Sequence, residues 1–299
     1  MVTCIGEILI DQFVEGDKVI NAIGGAPFNV AASIKRSGGH SSFLGSIGED
    51  EEGRFILEEA SKSKLDNLYL NKFKEYKTTI AQVKLIDGER YFKFIRDNGA
   101  DYHSALPLPN EIYSSNIVHL GSLMLSEEVG RDFIKEVIKE LKKRHILISF
   151  DINYREDIFK DIPNVKDIYK EIIKDVDILK ISEEEISIFG EDYISSLKDK
   201  LICLSLGSIG SSYRYNSLKG IVPSIKVKPI DTTGAGDAFF GAILANIDGH
   251  NLFELDKEYL DKVFGFANVV GALTTLGKGA INPIPYKEDV LEFIKSHSK

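Results

Sequence analysis

The residues best suited to chemistry lie in one short loop before an apolar helical stretch. The segment I-D-T-T-G-A-G-D (residues 230–237) precedes the run Ala238–Ile247. Glycines in the segment allow a tight turn whose N–H groups converge at the N-terminus of the following helix, where an anion is bound favourably. A carboxylate, Asp237, nevertheless stands in this anion site. It either complements the helix dipole or takes a proton from a hydroxyl group that attacks a phosphorus atom held by the loop.

Two other phosphate-binding motifs do not fit the sequence. A P-loop needs Ser or Thr after Gly-Lys, but Gly277-Lys278 is followed by Gly279. The dinucleotide motif G-x-G-x-x-G is not completed after Gly236, because the next glycine is Gly241. An NAD-linked oxidoreductase is therefore disfavoured.

The elements that must position this loop alternate along the chain. Short apolar runs typical of buried parallel strands alternate with amphipathic segments such as Glu127–Lys143, which predicts an α/β fold with helices on both faces of a sheet. Two segments, Asp11–Gly25 and Thr78–Asp101, instead predict antiparallel strands, the second turning at Asp87-Gly88. We expect one domain, 1–299, with a small β-sheet formed by about 11–23 and 77–98 that acts as a lid. The predicted buried strands are V-T-C-I-G-E-I-L-I (2–10), S-F-L-G-S-I (42–47), N-I-V-H-L-G (116–121), I-L-I-S-F-D-I-N (146–153), D-I-L-K-I-S (177–182) and L-I-C-L-S-L-G (201–207).

Two motifs about two hundred residues apart carry a family resemblance. The first motif consists of two nearby segments, G-G-A-P-F-N-V-A (24–31) and G-S-I-G-E-D-E-E-G (45–53). The second motif is D-T-T-G-A-G-D-A-F-F-G-A (231–242). Their order and spacing resemble the ribokinase-like, phosphofructokinase-B type family of sugar kinases over essentially the whole chain. The resemblance implies a three-layer ribokinase-like sandwich, with a mainly parallel central sheet and a small β-sheet lid. It also implies ATP-dependent phosphoryl transfer, with Asp237 as base and Gly234, Ala235 and Gly236 in the anion hole.

On the substrate side, the resemblance implies contacts from both halves of the chain. Asp11 corresponds to a carboxylate that binds two sugar hydroxyls, although a solvated turn residue is the alternative. Arg96, which precedes G-A-D, is similar to a fructokinase arginine, but it also suits an exposed edge-strand cation. The implied sugar-binding residues are Asp11, Gly24, Gly25, Asn29, Arg96, and Asn153 and Arg155 of a D-x-N-x-R stretch.

On the nucleotide side, the resemblance implies ATP with Mg²⁺, and K⁺ beside the anion hole as in many relatives. Glu185 would contact magnesium through water. The pattern Ser182-x-x-Glu185 also predicts a helix capping box. Lys180 is similar to a lysine near the phosphates, or is an ordinary solvent-facing lysine. The implied ATP-binding residues are Lys180, Ser205, Gly207, Gly210, Asn268 and Gly279, and the implied potassium residues are Asp231 and Thr233.

The acceptor is predicted to be a neutral sugar. Ala26-Pro27-Phe28 has no positive charge, whereas a sugar phosphate normally needs Arg or Lys partners. Fructose is favoured, with phosphorylation of a primary hydroxyl; 2-keto-3-deoxygluconate and ribose are the alternatives within the family. A non-catalytic sugar or nucleotide sensor on the same fold is the alternative of a different class.

Composition limits the remaining partners. The 299 residues carry 37 Lys and Arg against 46 Asp and Glu, a net charge of -9 that disfavours nucleic acid. No apolar run approaches the ~18 residues of a membrane span. Two cysteines in predicted strands, Cys4 and Cys203, suit a reducing compartment, so we expect a cytoplasmic protein. Pairing of two lids would give a homodimer.

Overall fold

The computed structural model describes residues 1–15, 18–86 and 89–297. Its strands are β1 Val2–Ile5, β2 Leu9–Glu15, β3 Lys18–Gly24, β4 Ser41–Gly48, β5 Asn67–Phe73, β6 Ile80–Ile86, β7 Glu89–Ile95, β8 Ile117–Leu120, β9 Leu147–Asp151, β10 Ile178–Ser182, β11 Leu201–Ser205, β12 Gly210–Tyr215 and β13 Leu218–Pro223. Its α-helices are α1 Ala26–Arg36, α2 Glu51–Ser61, α3 Glu128–Lys143, α4 Glu156–Phe159, α5 Val165–Ile173, α6 Glu183–Phe189, α7 Glu191–Ser196, α8 Ala235–Ile247, α9 Lys257–Thr274 and α10 Lys287–His297.

A large central sheet contains nine strands in the order β13-β12-β11-β10-β9-β8-β1-β4-β5. Neighbouring strands are parallel from β11 to β5, and at one edge β12 pairs antiparallel with both β11 and β13. Successive residues of a strand face opposite sides, so Leu201 and Cys203 enter one apolar core and Ile202 enters the other. Helices α1, α8 and α9 contribute to the first core, and α3, α5 and α6 to the second. The predicted three-layer α/β architecture is confirmed.

A second, smaller sheet has the order β3-β2-β6-β7. Strand β2 pairs antiparallel with β3 and parallel with β6, and β6 pairs antiparallel with β7. The two predicted antiparallel segments therefore join in one separate small sheet, as expected. The predicted turn at Asp87-Gly88 lies outside the described residues.

The first predicted strand is wrong in its extent, because residues 2–10 divide between the two sheets. Strand β1 belongs to the central sheet and β2 to the small one, with Gly6 at the break. Gly6 has φ +152°, and a Cβ there would lie 2.7 Å from Pro27 Cγ. The glycine thus lets the chain turn away beneath the start of α1. Among the described residues, no helix has both the length and the apolar character needed to span a bilayer.

Candidate active site

The loop before α8 is fixed by its glycine and by a buried carboxylate. Gly234 caps α8 in a left-handed conformation with φ +73°, and a Cβ there would lie 2.7 Å from Ala280 Cα. Asp231 Oδ1 accepts hydrogen bonds from Thr233 N at 3.0 Å and Thr233 Oγ1 at 2.7 Å. Its Oδ2 accepts one from Gly279 N at 2.9 Å. The two residues predicted for potassium therefore organise the loop that holds the helix N-terminus.

Asp237 lies in the first turn of α8 and is held from α1. Asn29 Nδ2 donates to Asp237 Oδ2 at 2.8 Å, and Ser33 Oγ donates to Ala238 O at 2.7 Å. The helices approach closely because a Cβ on Gly241 would lie 2.6 Å from Ser33 Cβ. Burial raises the pKa of Asp237 to about 6, while the nearby Lys180 ammonium acts to lower it. Asp237 is thus a carboxylate in a fixed position that is mostly ionised at neutral pH.

Two cavities meet at this loop and share Thr232 and Gly236 as lining residues. The first, of about 700 Å³, is called the acidic cavity and is lined by residues that include Glu7, Asp11, Gly25, Ala26, Asn29, Ala81, Phe94, Asn153, Arg155, Lys180, Glu185 and Asp237. The second, of about 610 Å³, is called the glycine-rich cavity and is lined by residues that include Ser205, Gly207, Gly210, Ile225, Lys226, Val227, Phe239, Asn268, Gly271, Ala272 and Thr275. A group bridging them would pass over the loop at Thr232 and Gly236.

Lys180 is buried beside the loop, so the solvent-facing alternative is wrong. Its Nζ lies 2.9 and 2.7 Å from the two carboxylate oxygens of Asp151, the neighbouring residue on β9. It would lie 3.6 Å from a Cβ on Gly236. Burial acts to lower the pKa of Lys180, but the carboxylates of Asp151, Glu185 and Asp237 raise it overall. A charged ammonium therefore lies next to the predicted anion site.

Asp11 enters the acidic cavity from β2 of the small sheet. Its carboxylate occupies the space above Gly24, where an added Cβ would lie 2.2 Å from Asp11 Oδ2. Burial raises the pKa of Asp11 to about 7, and the Asp237 carboxylate adds to this rise. Gly25 has φ +107°, and a Cβ added to it would lie 2.5 Å from the Glu7 carbonyl oxygen. The paired glycines thus make room for a carboxylate and for a second chain segment.

The predicted residues after β9 reach the same cavity. Asn153 and Arg155 both line it, and Arg155 is exposed at its surface. Glu185, after β10, accepts from Ser182 N and from Tyr154 N, each at 2.8 Å. The capping box predicted from the sequence is present. Each Glu185 oxygen keeps a further lone pair, which suits contact with a metal ion through water.

Arg96 is buried, so the alternative of an exposed edge cation is wrong. Its side chain is 9% exposed, and Nη2 lies 2.7 Å from Oδ2 of the buried Asp101. Its other guanidinium nitrogens contact Ser126 Oγ and again Asp101. The ion pair ties the end of β7 to the following turn, and a direct contact from Arg96 to a sugar stays a prediction.

The residues predicted for the nucleotide divide between two places. Ser205, Gly207, Gly210 and Asn268 line the glycine-rich cavity. Asn268 Nδ2 donates to Val222 O at 2.9 Å, which joins α9 to β13. The other two residues predicted for ATP, Lys180 and Gly279, lie instead beside the loop, at Gly236 and Asp231 respectively.

Known proteins resemble this chain in sequence and in fold. A family model described as pfkB family carbohydrate kinase matches residues 1–287. The chain belongs to the pfkB family of carbohydrate kinases. Fructokinase-1 of Oryza sativa subsp. japonica is 33% identical, with 99% of this chain and 98% of that protein covered.

Two crystal structures of fructokinases resemble this carbohydrate kinase over almost their full length. Fructokinase with bound ATP from Xylella fastidiosa has a TM-score of 0.92 at 26% identity, covering 100% of this chain and 99% of that one. Fructokinase from Vibrio cholerae O395 in a fructose, ADP and calcium ion bound form has a TM-score of 0.84 at 27% identity, covering 98% of each chain. The predicted ribokinase-like fold and sugar kinase activity are confirmed.

Two residues of this carbohydrate kinase site were missed by sequence reasoning. Asp151, which holds Lys180, lies within the D-x-N-x-R stretch, but its own role was not predicted. Glu7 lies between β1 and β2, is 2% exposed and lines the acidic cavity. A charged residue directly after a buried strand and a glycine was the available signal, since strand ends of parallel sheets form ligand sites.

Proposed function

We propose that the chain is an ATP-dependent fructokinase that phosphorylates the 6-hydroxyl group of D-fructose. The observation that carries the proposal is the position of Asp237, on a helix N-terminus between an acidic and a glycine-rich cavity. The acidic cavity offers carboxylate and amide groups suited to sugar hydroxyls, and the glycine-rich cavity offers small and apolar residues suited to a nucleotide. The fructokinase from Vibrio cholerae, crystallised with fructose and ADP, shares the fold.

The residues act by positioning and by charge. Asp11 and Asn29 orient the sugar, and Asp237 accepts the proton of the attacking hydroxyl group. As the oxygen of that hydroxyl group bonds to the γ-phosphorus of ATP, the bond from this phosphorus to the β,γ-bridging oxygen breaks and ADP leaves. The N–H groups of 234–237 and the Lys180 ammonium stabilise the negative charge on the transferred group. Magnesium, bound with ATP, would neutralise phosphate charge, and Glu185 would contact it through water.

Potassium is proposed beside the same loop, near Asp231 and Thr233. The carboxylate oxygens of Asp231 already accept hydrogen bonds from Thr233 and Gly279. A monovalent ion there would act on the loop that presents the N–H groups, and not on the substrate directly. Rate measurements in potassium and in tetramethylammonium chloride test this.

A neutral acceptor is favoured over an acidic one. Ala26 lines the acidic cavity, and Pro27 and Phe28 are buried behind it, so this wall offers no cation. Arg96 is committed to Asp101, which leaves it poorly placed to bind the carboxylate of 2-keto-3-deoxygluconate. Arg155 at the cavity surface is the feature that keeps this alternative open.

We further propose that the small sheet acts as a lid on a single kinase domain spanning 1–299. Leu9, Asp11, Ala81 and Phe94 of that sheet line the acidic cavity, so it covers the sugar and would exclude water that hydrolyses ATP. Its edge strand β3 exposes Val19 and Ile20 by 58% and 54%, which favours a homodimer formed through two lids. The buried free thiols of Cys4 and Cys203 favour a cytoplasmic location.

A substrate panel tests the proposed function. ADP release is measured with fructose, ribose, 2-keto-3-deoxygluconate and fructose 6-phosphate, each at several concentrations. We expect the highest kcat/KM with fructose and little turnover of fructose 6-phosphate. A higher kcat/KM with either alternative sugar would overturn the fructose assignment while leaving the kinase assignment intact.

A further inference from the structure

Glu7 carries a buried carboxyl group that the mechanism above does not use. It lies at the junction between β1 of the central sheet and β2 of the small sheet and lines the acidic cavity. Within the described residues, its Oε2 is buried and has no hydrogen-bond partner. Nearly all buried polar groups in folded proteins are paired, so an unpaired one beside a cavity suggests a partner that arrives with the ligand.

The surrounding backbone leaves space for this side chain. A Cβ added to Gly121, which follows β8, would lie 2.6 Å from Glu7 Oε2. A Cβ on Gly25 would lie 2.5 Å from the Glu7 carbonyl oxygen. A side chain at position 121 would collide with the Glu7 carboxyl group, and one at position 25 would collide with the Glu7 backbone. The placement of the carboxyl group therefore depends on three separate segments of the chain.

The neighbouring cation does not neutralise Glu7. The cation is Arg96, which forms an ion pair with the Asp101 carboxylate instead. A second carboxylate near Glu7, that of Asp237, accepts a hydrogen bond from Asn29. Burial raises the pKa of Glu7 to about 8, with Asp101 and Asp237 adding to the rise and Arg96 opposing it. At neutral pH the group is therefore mainly a carboxylic acid, which can both donate and accept a hydrogen bond.

We propose that Glu7 is a sugar-binding residue whose carboxyl group hydrogen-bonds a hydroxyl group of the acceptor in the acidic cavity. A hydroxyl group complements such an acid because it too can donate and accept. Asp11 and Glu7 then have different roles. Asp11 accepts hydrogen bonds from sugar hydroxyl groups, whereas Glu7 can also donate a hydrogen bond to one. The inference deepens the proposed function and rests on the acidic cavity being the sugar site.

Two substitutions separate sugar binding from folding. Glu7→Met keeps the length of the side chain but removes its polar atoms, and Glu7→Gln keeps an uncharged group that donates and accepts. We expect Glu7→Met to raise the KM for fructose at least about tenfold, the loss of one well-placed hydrogen bond, and to leave the KM for ATP within about twofold. Glu7→Gln should restore the KM for fructose to within about threefold of wild type.

The matched control is Thr3→Val, which removes a buried hydrogen bond to Ser115 Oγ from the same strand segment without touching the cavity. It should lower thermal stability and leave both KM values unchanged. If Glu7→Met instead lowers thermal stability and leaves the KM for fructose unchanged, Glu7 is structural and the inference is overturned.

A series of monodeoxy fructoses identifies the contacted hydroxyl group. The tenfold penalty of Glu7→Met should disappear for the analogue that lacks this group and persist for the others. An equal penalty for every analogue would show an indirect effect and contradict the inference. If the wild-type enzyme does not phosphorylate fructose at all, the proposed function fails instead, and the series is repeated with the sugar that is turned over.

Discussion

The two cavities beside Asp237 differ in the chemistry of their walls. The acidic cavity gathers charged side chains, among them Asp11, Lys180 and Asp237, from several strand ends and from the small sheet. The glycine-rich cavity is lined by small and apolar residues, with Lys226 as the charged member of its lining. The difference fits the proposed function, in which directed polar groups bind the sugar and small residues and backbone groups bind the nucleotide. A substitution in one cavity should therefore change the KM for one substrate and leave the KM for the other nearly unchanged.

The largest separation is expected from Gly24→Ala. The new Cβ would lie 2.2 Å from Asp11 Oδ2, so the carboxylate must leave its position. Losing hydrogen bonds to a charged group should raise the KM for fructose between about 10- and 100-fold, with the KM for ATP nearly unchanged.

A second glycine provides the control for that substitution. A Cβ on Gly265, in α9, would lie 3.8 Å from Val222 Cγ1, an ordinary contact. Gly265→Ala should leave both KM values as they are. Equal rises in the two KM values for Gly24→Ala would indicate a general distortion and contradict the separation of the cavities.

The pH dependence of kcat/KM for fructose should also arise from groups that line the acidic cavity. The folded pKa values of Asp11, about 7, and Asp237, about 6, are raised above their ordinary values, and both groups act when ionised. The active form is therefore lost as pH falls. The kcat/KM for fructose should decline below about pH 7, towards about tenfold per pH unit. Below about pH 6, where both groups become protonated, the decline should steepen towards about a hundredfold per pH unit. A profile that stays flat from pH 8 to pH 5 would contradict these roles.

A smaller and opposite effect is expected from Ala272→Leu. Ala272 is half-buried on α9 and lines the glycine-rich cavity, so a larger side chain removes space from the nucleotide. The KM for ATP should rise about fivefold to tenfold, a modest steric cost, while the KM for fructose stays within about twofold. A rise in the KM for fructose alone would show that the cavities are assigned the wrong way round.

Local sequence patterns predicted the elements that depend on local chemistry. Helix α3 was expected at Glu127–Lys143 and spans Glu128–Lys143, because its apolar residues recur at helical spacing. The anion loop was predictable for the same reason, since its glycines and the following helix are adjacent in the chain. Strands β12 and β13 were missed because β12 includes polar residues such as Ser212 and Arg214, and β13 is half-exposed at the sheet edge.

The remaining features depend on partners that are distant in sequence. Lys180 is buried because Asp151 stands beside it on the neighbouring strand, and Arg96 is buried because Asp101 neutralises it. Glu7 depends on Gly121, more than a hundred positions away. A single sequence does not encode these pairings in any local pattern, so the environment of each charged residue had to come from the structure.

The central claim, that Asp237 is the base on a loop between two substrate cavities, is tested most directly by Asp237→Asn. Single-turnover phosphoryl transfer is measured with fructose and ATP at saturation, alongside ATP affinity by calorimetry. General-base assistance typically contributes about 10²–10⁴-fold, so we predict at least a hundredfold loss in the transfer rate with ATP affinity little changed. A transfer rate close to that of the wild type would contradict the account.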